Sequence, residues 1–80
     1  MYTTVIKLSS ISDVVGFCRK IQEVTVDIDI EAGRQYIDAK SIMGLFTLNL
    51  STPVKLMVNT DDESVIRTLK EIIEPYEVRK

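Results

Sequence analysis

The stretch from Val24 to Glu31 constrains this chain most, because Val24, Val26, Ile28 and Ile30 alternate strictly with Thr25, Asp27, Asp29 and Glu31. A period of two puts the apolar set on one side of an extended segment and the polar, mainly acidic set on the other. A strand with one wet face belongs to an antiparallel sheet covered on a single side, since parallel sheets are buried on both. The rest of the chain must supply partner strands for this segment and a cover for its apolar face. It has 80 residues to do so, and a chain of that size removes only about 60 to 65% of its unfolded surface from water. One domain over residues 1–80 is therefore expected. Hydrophobic residues make up 45% of the chain and charged ones 28%, enough apolar material for one core and against disorder.

The partners are legible on either side. Tyr2 to Leu8 alternate, with Thr4, Ile6 and Leu8 opposite Thr3, Val5 and Lys7, a first strand. Ser9-Ser10 break it, and Ser12 is read as the cap of a helix to about Glu23, where Val14, Phe17, Cys18 and Ile21 recur at i, i+3, i+4 and i+7. After Glu31, Ala32-Gly33 offer a turn, and Gln35 to Ala39 return as the second arm of a hairpin. Ser41 to about Asn49 suit a short helix. Its Ile42, Leu45, Phe46 and Leu48 point in too many directions to hide on so few turns, so part of that surface should be exposed. Pro53 opens an extended segment in which Val54, Leu56 and Val58 alternate with Lys55, Met57 and Asn59. Thr60 to Glu63 read TDDE, a capping box with Thr60 as the cap and Glu63 reaching back. The helix behind it carries Val65, Ile66, Leu69, Ile72 and Ile73 on one face until Pro75 stops it. The order is β-α-β-β-α-β-α. It describes an α+β, open-faced sandwich: a four-stranded antiparallel sheet with three helices on one face.

Composition excludes several functions. Ten basic and twelve acidic residues, net −2, are interspersed without a basic block, so nucleic acid is not expected as a partner. Apolar runs of two to three residues fall far short of the roughly 20 that span a bilayer, so no membrane partner is expected either. Met1 leads directly into a strand-like segment without an export leader, and the lone Cys18 cannot close an internal disulfide; a cytoplasmic protein is expected. Cys18 shares the apolar stripe of the first helix and reads as a small buried hydrophobe. The chain has no histidine to pair with it as a nucleophile, although Arg19 and Lys20 are near. Asp27, Asp29 and Glu31 read as solvated carboxylates, and Asp61 to Glu63 as caps, because hard cations want six or more oxygens from a converging loop. No metal and no cofactor are expected.

Lys40-Ser41-Ile42-Met43-Gly44, continued by Leu45, Phe46 and Leu48, resembles the second-helix motif of HPr, the histidine-containing phosphocarrier of the bacterial phosphoenolpyruvate-dependent sugar phosphotransferase system. The element order is that of the HPr fold as well. By this resemblance, Ser41 aligns with the serine that a dedicated kinase phosphorylates in HPr of many Gram-positive bacteria. Ile42, Met43 and Phe46 occupy positions of the apolar patch through which HPr meets its partners. The bland alternatives are a capping serine, worth about 1 kcal/mol, and core packing; a cap can also be phosphorylated. The resemblance further implies a first helix opening with histidine, alanine, arginine and proline, the imidazole taking the phosphoryl group. Here the corresponding turn reads Ile11-Ser12-Asp13-Val14-Val15, with Ser12 nearest the lost phosphohistidine. A seryl ester would not pass its phosphate onward as a phosphoramidate does, and Asp13 adds negative charge where an anion would arrive.

The function this implies is a non-catalytic HPr-like regulatory or protein-interaction module, unable to act as a histidine phosphocarrier, with Ser41 as its candidate phosphorylation site. By resemblance its partner is a phosphotransferase-system component, an HPr-type serine kinase or a transcriptional regulator, as for regulators of the Crh type. A monomer or weak homodimer is expected. Two rivals remain open: a small-molecule binder or enzyme using Ser12, Cys18 or the acidic strand face, and a purely structural homodimer joined through a strand edge.

Overall fold

The alternating segments become four strands and the periodic ones three helices in a computed structural model, which describes residues 1–50 and 52–78. Strand β1 is Tyr2–Ile6, helix α1 Ile11–Ile21, β2 Ile28–Ala32, β3 Gln35–Asp38, α2 Ile42–Leu45, β4 Val54–Val58 and α3 Glu63–Ile73, followed by a 3₁₀ turn at Glu74–Tyr76. The sheet order is β1-β4-β2-β3, each neighbouring pair antiparallel. β4 thus lies between β1 and β2, and its Leu56 faces both Thr4 and Ile30, which in turn faces Ile37. One residue along, Lys55 faces both Val5 and Glu31, and Glu31 faces Tyr36. The first row points to the helices and the second to solvent, as the pleat requires.

The covered face joins one core. Val14, Phe17, Cys18 and Ile21 of α1, Leu45 of α2, and Leu69, Ile72 and Ile73 of α3 meet Ile6, Ile28, Ile30, Leu56 and Val58 of the sheet. Every buried side chain among the described residues is apolar. Fully burying one such side chain stabilises the fold by about 1.5–3 kcal/mol, so the one-sided cover supplies most of what holds this thin domain together.

Several boundaries differ from the sequence expectation, each for a local reason. β2 starts at Ile28 and not Val24: burial still alternates through Val24 and Val26, but β4 ends opposite Ile28 at Val58. Val24 instead donates its amide to Ile21, closing the end of α1. Ser10 caps α1 in place of Ser12, its hydroxyl accepting from the Asp13 amide at 3.1 Å, and Ser12 lies exposed in the first turn. Asp62 caps α3 in place of Thr60. Its carboxylate accepts from the Ser64 amide at 2.9 Å and the Ser64 hydroxyl at 2.7 Å, while Thr60 accepts from the Asp62 amide and stiffens the approach. The Ser64 hydroxyl, then its amide, hold the Asp62 carboxyl below the ordinary aspartate range. Helix α2 stops at Leu45, well short of Asn49. Thr47 donates both its amide, at 3.0 Å, and its hydroxyl, at 2.6 Å, to the Gly44 carbonyl, and Leu48 donates to Leu45, so the chain tightens to i→i+3 bonds and leaves the α-helix.

Pro75 sits in the 3₁₀ turn just after α3. Beyond it, Lys7 donates its amide to Tyr76 at 2.8 Å and Val78 donates to Val5 at 3.0 Å, so Glu77 pairs with Ile6 along the outer edge of β1.

Candidate functional site

Two helix starts carry the residues of interest. At α1, Ser10 is extended and its hydroxyl receives the Asp13 amide, while the Asp13 carboxylate reaches back to accept from the Ser9 amide at 3.0 Å. This is a variant of the capping box, shifted by one residue from the usual reciprocal pair. It sets a carboxylate at the positive end of the helix dipole. A second anion would meet an existing negative charge, and the Ser9 and Asp13 amides are already engaged. Tyr76 closes the same end from behind: its ring meets Phe17 edge-on, with centroids 5.7 Å apart. A Cβ on Gly16 would lie 3.3 Å from its hydroxyl, a tight contact that a small shift of the tyrosine would relieve. Burial, and then the Asp13 charge, push the Tyr76 phenol above its ordinary value.

At α2, Ser41 is again an extended cap, its hydroxyl accepting from the Gly44 amide at 3.2 Å, but no acidic residue stands in the first turn. Gly44 is needed here because a Cβ would come within 2.8 Å of the Ile37 Cγ2 methyl. That close approach seats Leu45 in the core and leaves Ile42 half-buried, Met43 76% exposed and Phe46 46% exposed. Ser41, Ile42, Met43 and Phe46 are thus gathered on one short element. Ser12 is not among them; it stands on α1.

Sequence reasoning passed over two further apolar residues. Ile11 is 58% and Val15 37% exposed, and with Cys18 and Gln22 they form one stripe of α1 at helical spacing. The far end of that stripe touches the start of α2: Gln22 Nε2 donates to the Lys40 carbonyl at 2.8 Å, and the Cys18 thiol approaches the same oxygen at 3.6 Å. The i, i+4 spacing of Ile11 and Val15, offset from the buried Val14, Phe17 and Ile21, was the available signal.

The remaining candidates stand apart. Cys18 is buried in the core cluster. Asp27 and Asp29 are exposed, Asp29 facing Asp38 and Met57 across the sheet, and Glu31 is half-buried beside Lys55. Among the described residues, no three His, Cys, Asp or Glu side chains converge to hold a metal, and no helix is long and apolar enough to cross a membrane. A hollow of about 300 Å³ between the β2–β3 hairpin and the segment after α2 is lined by Ala32, Gly33, Gln35, Thr47, Leu48, Asn49, Thr52, Pro53 and Val54, with no titratable side chain.

Comparison with known proteins agrees with this architecture. The chain is similar in structure to HPr-C-His from Thermoanaerobacter tengcongensis, at TM-score 0.73 and 27% identity over 92% of both chains. It is similar in fold to the phosphocarrier protein HPr of Bacillus anthracis, at TM-score 0.71 and 18% identity over 95% of this chain and 96% of the other. The fold is shared too by Crh of Bacillus subtilis, at TM-score 0.63 and 24% identity over 94% of this chain and 88% of that one. No curated protein matches the sequence. The family model described as "PTS HPr component phosphorylation site" matches residues 14–75, so its match begins just past the Ser10–Asp13 cap and takes in all of β2 to α3. By that match the chain belongs to the PTS HPr family.

Proposed function

We propose that this chain is an HPr-family module that works by protein contact and does not relay phosphate through an imidazole. The observation that carries the reading is the exposed Met43 and Phe46 on a four-residue helix capped by Ser41. A solvent-facing Met and Phe on so short an element form an adaptable apolar contact surface. Ser41 at its edge is the candidate regulatory phosphorylation site. A dianionic phosphate there would face the Gly44 amide and the positive end of the helix without a neighbouring carboxylate in the first turn. The loss of carrier chemistry is supported by the absence of histidine from the sequence and by Asp13 at the opening of α1. On this reading the chain is a single cytoplasmic HPr-like domain and not an enzyme. It is monomeric or weakly dimeric, and its partner is a protein of the phosphotransferase system, its serine kinase or a transcriptional regulator. The likeness to Crh, described as a catabolite-repression protein forming an intertwined, swapped dimer, suits a regulatory role.

Retention of a partner from the native cytoplasm tests the contact surface: Phe46→Ala and Met43→Ala should each lose a protein that the parent retains, and unchanged retention would sink it. Incubation with enzyme I and phosphoenolpyruvate should leave the intact mass unchanged; an acid-labile phosphoryl adduct would show a working carrier. With the HPr-type serine kinase and ATP, one phosphate should appear, and it should vanish in Ser41→Ala.

A further inference from the structure

We propose that Gln22 is a positioning residue for the contact helix: its side-chain amide, assisted by the Cys18 thiol, fixes the Lys40–Ser41 peptide and so sets the direction in which Ser41 and the exposed face of α2 point. The carbonyl of that peptide accepts from Gln22 Nε2 at 2.8 Å and from Cys18 Sγ at 3.6 Å. Its amide donates to the Asp38 carbonyl at 3.0 Å. Lys40 is held on both remaining sides, its own amide donating to Asp38 Oδ1 at 2.9 Å and its ammonium to the Val24 carbonyl. The link between β3 and α2 is therefore tied at one end to β3 and at the other to the last turn of α1 and the segment just beyond it.

A helix of one turn cannot supply its own orientation. Nucleating a helix fixes several torsions for each bond gained, and so short a piece is unstable unless something outside it holds those torsions. In α2 the inward anchor is Leu45. It fixes the depth of the helix but leaves rotation about the Lys40–Ser41 peptide open. That rotation aims the Ser41 hydroxyl at the Gly44 amide and turns Met43 and Phe46 outward. Gln22 removes this freedom, because a carbonyl hydrogen-bonded from one side and an amide bonded from the other cannot swing without breaking both. The consequence for binding rests on the reading of α2 as a contact surface; the geometry does not.

The test compares amide hydrogen exchange, residue by residue, in the full chain carrying Gln22→Met with the parent and with Lys20→Met as a control on the exposed side of α1. Methionine keeps the length and helix preference of glutamine and removes the side-chain amide, and with it the donor to Lys40. Exchange at the Ser41, Gly44 and Leu45 amides should quicken about fivefold, the loss expected for one net hydrogen bond. Exchange at Ile30 and Leu56 should be unchanged, and Lys20→Met should match the parent throughout. Equal exchange at all three α2 amides would overturn the proposal, as would a uniform quickening that reaches Ile30 and Leu56, since that would make Gln22 a general stabiliser. Partner retention separates the two readings. If Phe46→Ala leaves retention intact, the contact-surface reading fails while the exchange result still decides on Gln22.

Discussion

The starts of α1 and α2 use the same cap, an extended serine accepting from the amide three residues on, yet they are built for different traffic. The α1 start is closed. Its serine is answered by Asp13, Tyr76 packs behind it, and eleven residues of helix anchor it through Val14, Phe17, Cys18 and Ile21. The α2 start is open. Its helix is four residues long, has no acidic group in its first turn, and turns Met43 and Phe46 to solvent. A cap alone therefore does not make an anion site or a docking site; what stands three residues later, and how deeply the helix is rooted, decides.

The largest expected effect tests the rooting. Phe17→Ala removes a fully buried ring that also meets Tyr76, and should cost about 3–5 kcal/mol by denaturant unfolding. Met43→Ala, at an exposed position, should stay within about 0.5 kcal/mol. Comparable losses for the two would erase the contrast between anchored and presented helices. Next comes Gly44→Ala, whose new methyl would press on Ile37 Cγ2 at 2.8 Å. It should destabilise by about 1–3 kcal/mol and displace α2 from β3, visible as chemical-shift changes centred on Ile37 and Phe46. A neutral result would mean that α2 is not seated by that close approach. Ser10→Ala should cost about 1 kcal/mol, measured by the same unfolding curves. Sensitivity to alkali is the finest probe of the α1 start. Tyr76 is raised by burial and by Asp13, so its neutral form is favoured in the folded chain. Stability should be unaffected below about pH 10, the ordinary tyrosine value, and fall as pH rises past it toward the raised value. Asp13→Asn should lessen that fall, and an identical alkaline profile would separate Tyr76 from Asp13.

Much of the fold could be read from alternation, and the places where reading failed share a cause. Alternation reports which side chains are buried, not which backbones are paired: Val24 and Val26 keep the period although β4 has already ended opposite Ile28. Cap assignment failed where candidates were crowded. Ser9, Ser10 and Ser12 are equivalent by propensity, and only the reach of Asp13 selects Ser10. Thr60 and Asp62 compete in the same way, and Thr60 is used one step earlier, in the turn. The gathering of Ser41, Ile42, Met43 and Phe46 was legible because these residues are neighbours in sequence. The hold of Gln22 on Lys40 was not, since it depends on how α1 lies against the start of α2.

The pairing of Glu77 and Val78 with β1 bears on how the molecule tolerates handling. A sheet rim is a template for unwanted stacking between molecules, and here one of the two rims is shielded by so slight a cover that trimming the chain after Tyr76 would bare it. Such a shortened version should clump on concentration while its helical content survives, which makes Glu77 and Val78 guardians of solubility.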